Sequence, residues 1–199
     1  MIVYVESNFV LERALVRDEH EACDRLLDLA RAGRVRLLLP AFSVGEPYES
    51  WVRRSRRRLE VSSQLADELE ELSRSKPYEK SVQEMQTVAT LLTLSRDEEK
   101  ARLDEAIKTT LDVAELIPID AEVARSAVSV QHETGLSPQD AIVYASVLRH
   151  LAAAETGDKC FLTKNTRDFY KPRIRGQLAG HGCRLLTRFS DGLGFIESR

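Results

Sequence analysis

The stretch Met1-Ile-Val-Tyr-Val-Glu-Ser-Asn-Phe9 decides how the rest of the chain is interpreted. The run from Ile2 to Val5 is apolar, rich in β-formers and too short for a buried helix, so we predict a strand. Glu6 follows at once, and Ser7 or Asn8 is expected to cap the next helix. In open parallel sheets the ligand crevice lies outside the carboxyl ends of the strands, where Glu6 would lie. The alternative is that Glu6 merely favours a helix N-terminus electrostatically.

The composition is that of an ordinary globular protein. The 199 residues are 43% hydrophobic and carry a net charge of -3, so contacts with nucleic acid would have to come from local basic patches. No apolar run approaches the roughly 20 residues that a membrane helix needs, and the N-terminus lacks the pattern of a secretion signal. We therefore expect a cytoplasmic protein with no membrane partner. The three cysteines are scattered, which fits reduced thiols better than disulfides or a zinc site.

Strands and helices alternate along the chain. Further strands are predicted at 35–39, 116–119, 160–163 and 184–187, with helices between them. From Trp51 to about Leu116 the sequence is charged, almost free of glycine and interrupted chiefly by Lys76-Pro77, so we predict two or three long helices there. The pattern indicates a three-layer α/β fold with a central parallel sheet flanked by helices. We expect one domain over residues 1–199 with a helical elaboration at about 51–116.

Acidic residues recur at strand ends and helix starts. Glu46 begins a predicted helix, although its spacing from Ser43 also fits a capping box. Asp140 lies in the first turn of a helix that Ser137 is expected to cap, and it could be no more than a capping acid. Carboxylates gathered at one edge of a sheet resist ionisation unless a cation compensates them. A hard divalent metal such as Mg²⁺, which takes oxygen ligands, is the obvious compensation.

A dense basic cluster follows Glu46. It consists of Arg53, Arg54, Arg56, Arg57 and Arg58. These arginines could grip phosphates beside an acidic site, or they could form a solvated helix face. Because a helix spreads consecutive residues around its circumference, only part of the cluster can face one ligand. The chain has no GxGxxG, GxxxxGK[ST] or G-x-S-x-G motif, which argues against dinucleotide enzymes, P-loop nucleotide enzymes and serine hydrolases of that type.

Four segments together give the chain a family resemblance. They are strand-Glu6-Ser7-Asn8, the helix-start Glu46, Gly135-Leu-Ser-Pro-Gln-Asp-Ala141 and Leu162-Thr-Lys-Asn-Thr-Arg-Asp-Phe169. In this order they resemble the PIN-domain family, which includes the VapC toxins of toxin-antitoxin pairs. The resemblance implies an α/β fold with an acidic cluster that binds Mg²⁺ or Mn²⁺ for endoribonuclease action. The family's first acid is usually Asp, whereas this chain has Glu6, and Asn165 stands where many members carry another acid.

The resemblance assigns roles to individual residues. The expected catalytic acids are Glu6, Glu46, Asp140 and Asp168. Of these, Glu6, Asp140 and Asp168 would hold the metal, while Glu46 would bind it or position the attacking water. Supporting roles fall to Ser7, Asn8, Thr163 and Asn165, and the nucleic acid would contact Arg53, Arg54, Arg57, Lys164 and Arg167.

Two functions follow from these roles. The first is a metal-dependent endoribonuclease acting on RNA, with a toxin role, an antitoxin partner and a homodimer left open. The second is a catalytically impaired PIN-like module that binds RNA or a protein, with its acids reduced to helix capping.

Overall fold

Five parallel strands form the central sheet of the structure, a computed structural model that describes residues 1–199. The strands are β1 (Ile2–Val5), β2 (Arg36–Pro40), β3 (Glu115–Ile117), β4 (Lys159–Leu162) and β5 (Cys183–Leu186). Their order across the sheet is β3-β2-β1-β4-β5. The chain builds one half of the sheet outward from β1 and then crosses to build the other half, so the order reverses beside β1. Such a reversal opens a crevice at the carboxyl end of the central strand.

Nine α-helices surround or extend from the sheet. They are α1 (Ser7–Ala14), α2 (His20–Arg31), α3 (Glu46–Ser73), α4 (Glu79–Leu111), α5 (Ala121–Thr134), α6 (Pro138–Ala153), α7 (Thr166–Phe169), α8 (Pro172–Gly180) and α9 (Phe189–Glu197). Two short 3-10 turns lie at Ala41–Val44 and Lys76–Tyr78. Each predicted strand is present, with its ends shifted by no more than two residues.

The core has two halves, one on each face of the sheet. Val3 and Val5 point into a cluster formed with α1, α2 and α9. Ile2 and Tyr4 point the other way, into a cluster formed with α5, α6 and α8. Because both faces of β1 are covered, the strand is an unbroken apolar run rather than an alternating one. The predicted three-layer α/β fold is confirmed.

The helices α3 and α4 form an antiparallel hairpin inserted between β2 and β3. Trp51 near the start of α3 donates to the carbonyl of Arg96 on α4, and Ser62 farther along donates to the carbonyl of Ala89. The base of the α3–α4 hairpin packs on α1 through a small apolar cluster that includes Val10 and Leu103. These two helices cover most of residues 51–116, where two or three long helices were predicted.

Two predicted helix caps are wrong. The cap of α1 is Glu6, whose side chain accepts from Asn8 N, rather than Ser7 or Asn8. The Ser43–Glu46 capping box does not form, because the chain makes a 3-10 turn at Ala41–Val44 and α3 begins at Glu46 with Gly45 as its cap. Pro47 lies in the first turn of α3, a position that proline favours, and this fixes the helix start after Ser43.

None of the helices combines the length and the apolar character needed to cross a bilayer.

Candidate active site

Glu6 lies buried at the carboxyl end of β1, with 4% of its surface exposed. Its Oε2 accepts hydrogen bonds from Asn8 N at 2.9 Å and from Ser7 Oγ at 3.0 Å, and its Oε1 accepts from Asn8 Nδ2 at 2.9 Å. Burial raises the pKa of this carboxyl, while the hydrogen bonds from Asn8, Thr163 and Ser7 oppose the rise. Burial outweighs them, so Glu6 is a carboxyl whose charge is incompletely compensated by the protein.

Asp140 is held at the start of α6 by its neighbours. Ser137 Oγ donates to Asp140 Oδ2 at 2.7 Å and accepts from Asp140 N at 3.1 Å. From the loop after β4, Asn165 Nδ2 donates to Asp140 Oδ1 at 3.2 Å, and Asn165 N in turn donates to Thr163 Oγ1 at 3.0 Å. The residues that follow β4 therefore orient the carboxyl of Asp140.

Two charges act on the pKa of Asp140 besides its burial. Burial is the largest influence and raises the pKa, the hydrogen bond from Ser137 lowers it, and the charge of Asp168 raises it. Lys171 lowers it more weakly. The ammonium of Lys171 donates to the carbonyls of Thr134 and Gly135 at 3.0 and 3.1 Å, which fastens the loop that leads into α6. The net result is a raised pKa at Asp140.

Glu46 is the first residue of α3 and the third carboxyl of the site. Burial raises its pKa to about 7, and hydrogen bonding by Ser7 opposes the rise. The charges of Glu6 and Asp140 add to it, followed by that of Glu49. Because the charges of Glu6 and Asp140 both act on Glu46, we group these three carboxyls and call them the acidic triad.

An open cleft of about 500 Å³ lies against the acidic triad. It is lined by Ser7, Asn8, Leu11, Glu46, Glu49, Ser50, Arg53, Ser137, Gln139 and Asp140. Glu6 is not part of this lining, and Arg53 is the only basic side chain in it. A cleft with three lining carboxylates and one guanidinium favours a cation.

The structure brings together part of the predicted metal set. Asp168 lies half-buried on α7 and influences the pKa of Asp140, but it does not line the cleft. No three acidic, histidine or cysteine side chains stand close enough together to enclose a metal ion. In this side-chain arrangement a cation would therefore have fewer than three direct acidic ligands.

The arginine cluster of α3 divides into two groups. Arg53 lines the cleft, and Arg53, Arg56 and Arg57 line an adjoining groove of about 720 Å³ along α3. Arg54, which was expected to contact nucleic acid, instead faces Glu99 of α4 at 3.8 Å. Arg58 pairs with the same Glu99 at 2.9 Å. Arg54 and Arg58 therefore engage neither the cleft nor the groove.

Two further basic residues were expected to contact nucleic acid after β4. Lys164 Nζ pairs with Glu12 Oε2 at 3.2 Å, and the Glu12 side chain is only 2% exposed. Arg167 is exposed on α7. Lys164 thus neutralises a buried acid of α1 within the fold, while Arg167 remains open to solvent.

Several lining residues of the cleft were not predicted from the sequence. Glu49 and Ser50 are three and four residues after Glu46, and Arg53 is seven residues after it, so all four share one face of α3. Helical spacing counted from Glu46 was the signal that could have found Glu49 and Ser50. Helical spacing counted from Glu46 also places Arg53 on the side of α3 that faces the cleft, and it places Arg54 on a different side.

Comparison with known proteins gives one match. Neither a curated protein nor a solved structure shows significant similarity to the chain. A family model described as PIN domain matches residues 3–169, which include the acidic triad, the α3–α4 hairpin and the loop after β4. The match spans well over half of the 199 residues, and the chain therefore belongs to the PIN-domain family.

Proposed function

We propose that the protein is a metal-dependent endoribonuclease whose centre is the acidic triad. PIN domains are a nuclease family whose members act on RNA, and the chain belongs to that family. The observation that carries the proposal is that Glu46 and Asp140 border one cleft, that the buried Glu6 immediately precedes Ser7 and Asn8 of its lining, and that the pKa of all three carboxyls is raised. Structural carboxylates that serve only as caps are stabilised in their charged form, whereas these three are not.

The donors of the site fit a hard divalent cation such as Mg²⁺ or Mn²⁺. Every candidate ligand is an oxygen, and the carboxylates lack a compensating positive charge apart from Arg53 and Lys171. Since no three acids enclose an ion, the fit is to a cation that keeps several of its waters, as Mg²⁺ does. Asp140 borders the open cleft and would hold the cation together with Glu6, while Asp168 would add its negative charge from α7.

Different residues of the chain would have different roles in the cleavage reaction. A bound divalent cation lowers the pKa of water and polarises the phosphodiester. Glu46, with a pKa of about 7, can accept a proton from the attacking water near neutral pH. Ser137 and Asn165 fix the orientation of Asp140, and Arg53 is placed to hold a phosphate at the rim. Arg56 and Arg57 extend this basic rim along α3, which gives a polyanion a path out of the cleft.

Cleavage of RNA tests the proposal. The purified protein is incubated with single-stranded RNA and Mn²⁺, with and without a chelator, beside Asp140→Asn and the control Asp28→Asn, an exposed acid of α2 outside the cleft and the groove. We expect cleavage that the chelator abolishes, that Asp140→Asn reduces at least about 100-fold and that Asp28→Asn leaves intact. Cleavage that persists in the chelator or in Asp140→Asn would refute the mechanism.

The basic rim has a separate test in the salt dependence of RNA binding. Replacing Arg53 and Arg56 with alanine should weaken binding and lower the slope of log affinity against log salt by about 0.7 for each phosphate that the protein no longer neutralises. Arg31→Ala is the matched control, because Arg31 is an exposed arginine at the end of α2, just before β2, and so lies at the opposite edge of the sheet from the cleft. An unchanged slope in the double variant would show that RNA does not follow α3.

One observation favours the second candidate function, an RNA-binding or protein-binding module without catalysis. Both oxygens of Glu6 accept hydrogen bonds within the cap of α1. If those bonds persist, Glu6 is unavailable to a metal, and the protein would bind RNA without cleaving it in Mn²⁺. A toxin role is a further consequence of the first function: expression in cells should arrest growth, and Asp140→Asn should relieve the arrest.

A further inference from the structure

The outer side of β5, which we call the β5 edge, has no strand beside it. β5 is the last strand in the order of the sheet and pairs only with β4. In that ladder the carbonyl of Leu186 accepts from Thr163 N at 3.1 Å. Residues of a parallel strand bond alternately to one side and the other, so the N–H and C=O of Leu185 point away from β4. An extended chain can pair with these groups.

Two cavities lie along the β5 edge and reach the helices on opposite faces of the sheet. One of about 670 Å³ extends to Pro172 and Ala179 of α8, and one of about 440 Å³ extends to Phe195 of α9. Arg184 and Leu186 of β5 line both cavities. Successive side chains of an added strand alternate between the two faces, so they would enter the two cavities in turn.

Two arginines place positive charge on both faces of the β5 edge. Arg175 of α8 lies over the ring of Tyr170 at 4.7 Å, and Arg184 lies over the ring of Phe195 at 5.3 Å. Neither guanidinium is among those that pair with an acid of the protein. Because α8 and α9 cover opposite faces of the sheet, each face offers one arginine to an acidic ligand.

Asp191 favours a peptide over a nucleic acid at this edge. It lies in the first turn of α9 and lines both cavities. A nucleic acid is charged at every phosphate and would meet this carboxylate. A peptide can place acids at the two arginines and a neutral residue beside Asp191. The outward N–H and C=O of Leu185 also match a main chain, which carries both a donor and an acceptor along its edge.

We propose that the β5 edge binds an extended acidic peptide of a partner protein as a sixth strand of the sheet. Main-chain hydrogen bonds to Leu185 hold the peptide, and its carboxylates pair with Arg175 and Arg184. Since successive residues of a strand face opposite sides, the two acids lie an odd number of positions apart, as two consecutive glutamates do. None of these three residues lines the cleft of the acidic triad, so the peptide site is separate from the proposed nuclease site.

Selection from a peptide library tests the charge pattern. Phage that display random octapeptides are selected on the full chain in a chelator, and the enriched peptide is synthesised for titration. We expect two acids an odd number of positions apart among β-branched residues. Arg175→Gln and Arg184→Gln should each weaken binding of this peptide about 10-fold. Arg173→Gln is the matched control and should not, because Arg173 is an exposed arginine of α8 that is already paired with Glu133.

Proline at position 185 tests the main-chain pairing. Leu185→Pro removes the outward N–H but keeps the bonds from Arg184 and Leu186 to β4, and proline is tolerated at such positions of edge strands. Leu185→Ala, which keeps the N–H, is the matched control. The peptide should bind Leu185→Pro at least about 10-fold more weakly than Leu185→Ala, while circular dichroism shows equal helical content. Methylation of alternate amides of the peptide should abolish binding to the wild type in one register and not in the other.

Four outcomes would overturn the proposal. They are a selection without enriched peptides, enrichment of basic peptides, equal binding by Leu185→Pro and Leu185→Ala, and binding of a short oligouridylate RNA that Arg175→Gln and Arg184→Gln weaken. The last outcome would assign the β5 edge to nucleic acid. None of these measurements requires cleavage of RNA, so the peptide site can fail while the nuclease proposal holds, and the reverse.

Discussion

Replacing Glu46 with glutamine should make the metal-free protein more stable at alkaline pH. Glu46 has an ordinary pKa of 4.5 in the unfolded chain and about 7 in the folded protein, with burial as the largest cause. Between these values the folded protein holds a proton that the unfolded chain has released. Stability contributed by this group is therefore present below about pH 4.5 and is lost as the pH rises to about 7. Glutamine, which does not titrate, avoids that loss.

The size of the effect follows from the rise in pKa. From 4.5 to about 7, at about 1.4 kcal/mol per pKa unit, the ceiling is about 3 kcal/mol. Glu46 is only half-buried, and solvent screening reduces this to about 1 to 2 kcal/mol. For a chain of 199 residues, 1 kcal/mol corresponds to about 2 to 4 °C in the midpoint of thermal unfolding. The expected rise in Tm for Glu46→Gln is then about 2 to 8 °C at pH 8.

Urea and thermal unfolding in a chelator measure this difference. Wild type, Glu46→Gln and the control Glu60→Gln are compared at about pH 5 and about pH 8. The Glu46 variant should be the more stable only at pH 8, and Glu60→Gln should match wild type at both. Excess Mg²⁺ should narrow the gap at pH 8, because a bound cation stabilises the ionised carboxyl of the wild type. Equal stability at pH 8, or a gap that is larger at pH 5, would refute the burial of an uncompensated charge at Glu46.

Three other substitutions test how the fold supports the site, each by urea unfolding. Val16 has a φ of 48°, which is strained for a β-branched residue, so Val16→Gly should raise the free energy of unfolding by about 1 kcal/mol, and a decrease would contradict the strain. Lys164→Met should lower it by about 2 kcal/mol, because buried Glu12 would keep only one cation, Arg17 at 3.7 Å, and the N–H of Glu19; adding Glu12→Gln should restore most of the loss, and no recovery would mean that Lys164 stabilises the fold through another contact. Gly192→Ala should lower it by about 1 to 3 kcal/mol, because a Cβ would lie 2.6 Å from the buried Leu162 side chain; no change would mean that Leu162 can move aside.

The order of strands and helices could be predicted because its signals are local. The run Ile2–Val5, the cap Asp120 with Gly135 at the far end of α5, and Ser137 with Pro138 at the start of α6 all lie within the elements that they define. The capping box at Ser43 failed for a local reason as well, since Pro47 is a competing signal that places the helix start later. Residues that are close together in the sequence are therefore enough to predict the order of the strands and helices.

Contacts between distant residues could not be predicted in this way. The helix α9 falls in a tail whose sequence gave no clear prediction, and Phe189 N at its start donates to Glu19 at 2.7 Å, across a separation of 170 residues. Lys164 gave a similar difficulty, because nothing near it in the sequence shows that Glu12 lies beneath it. A single sequence reveals the residue types at such positions but not their partners.

The three carboxyls of the acidic triad all lie at helix starts, yet none has the lowered pKa of a simple capping acid. Glu6 caps α1, Glu46 opens α3 and Asp140 lies in the first turn of α6, so each carboxyl meets a helix N-terminus, where negative charge is favoured. Had capping been their whole role, the hydrogen bonds and dipoles would have held all three pKa values down. Burial outweighs them at every one, with neighbouring acids adding to the rise at Glu46 and Asp140, and the three pKa values are raised. The three helix starts position the carboxyls at the reversal point of the sheet. A divalent cation bound there would compensate their negative charge.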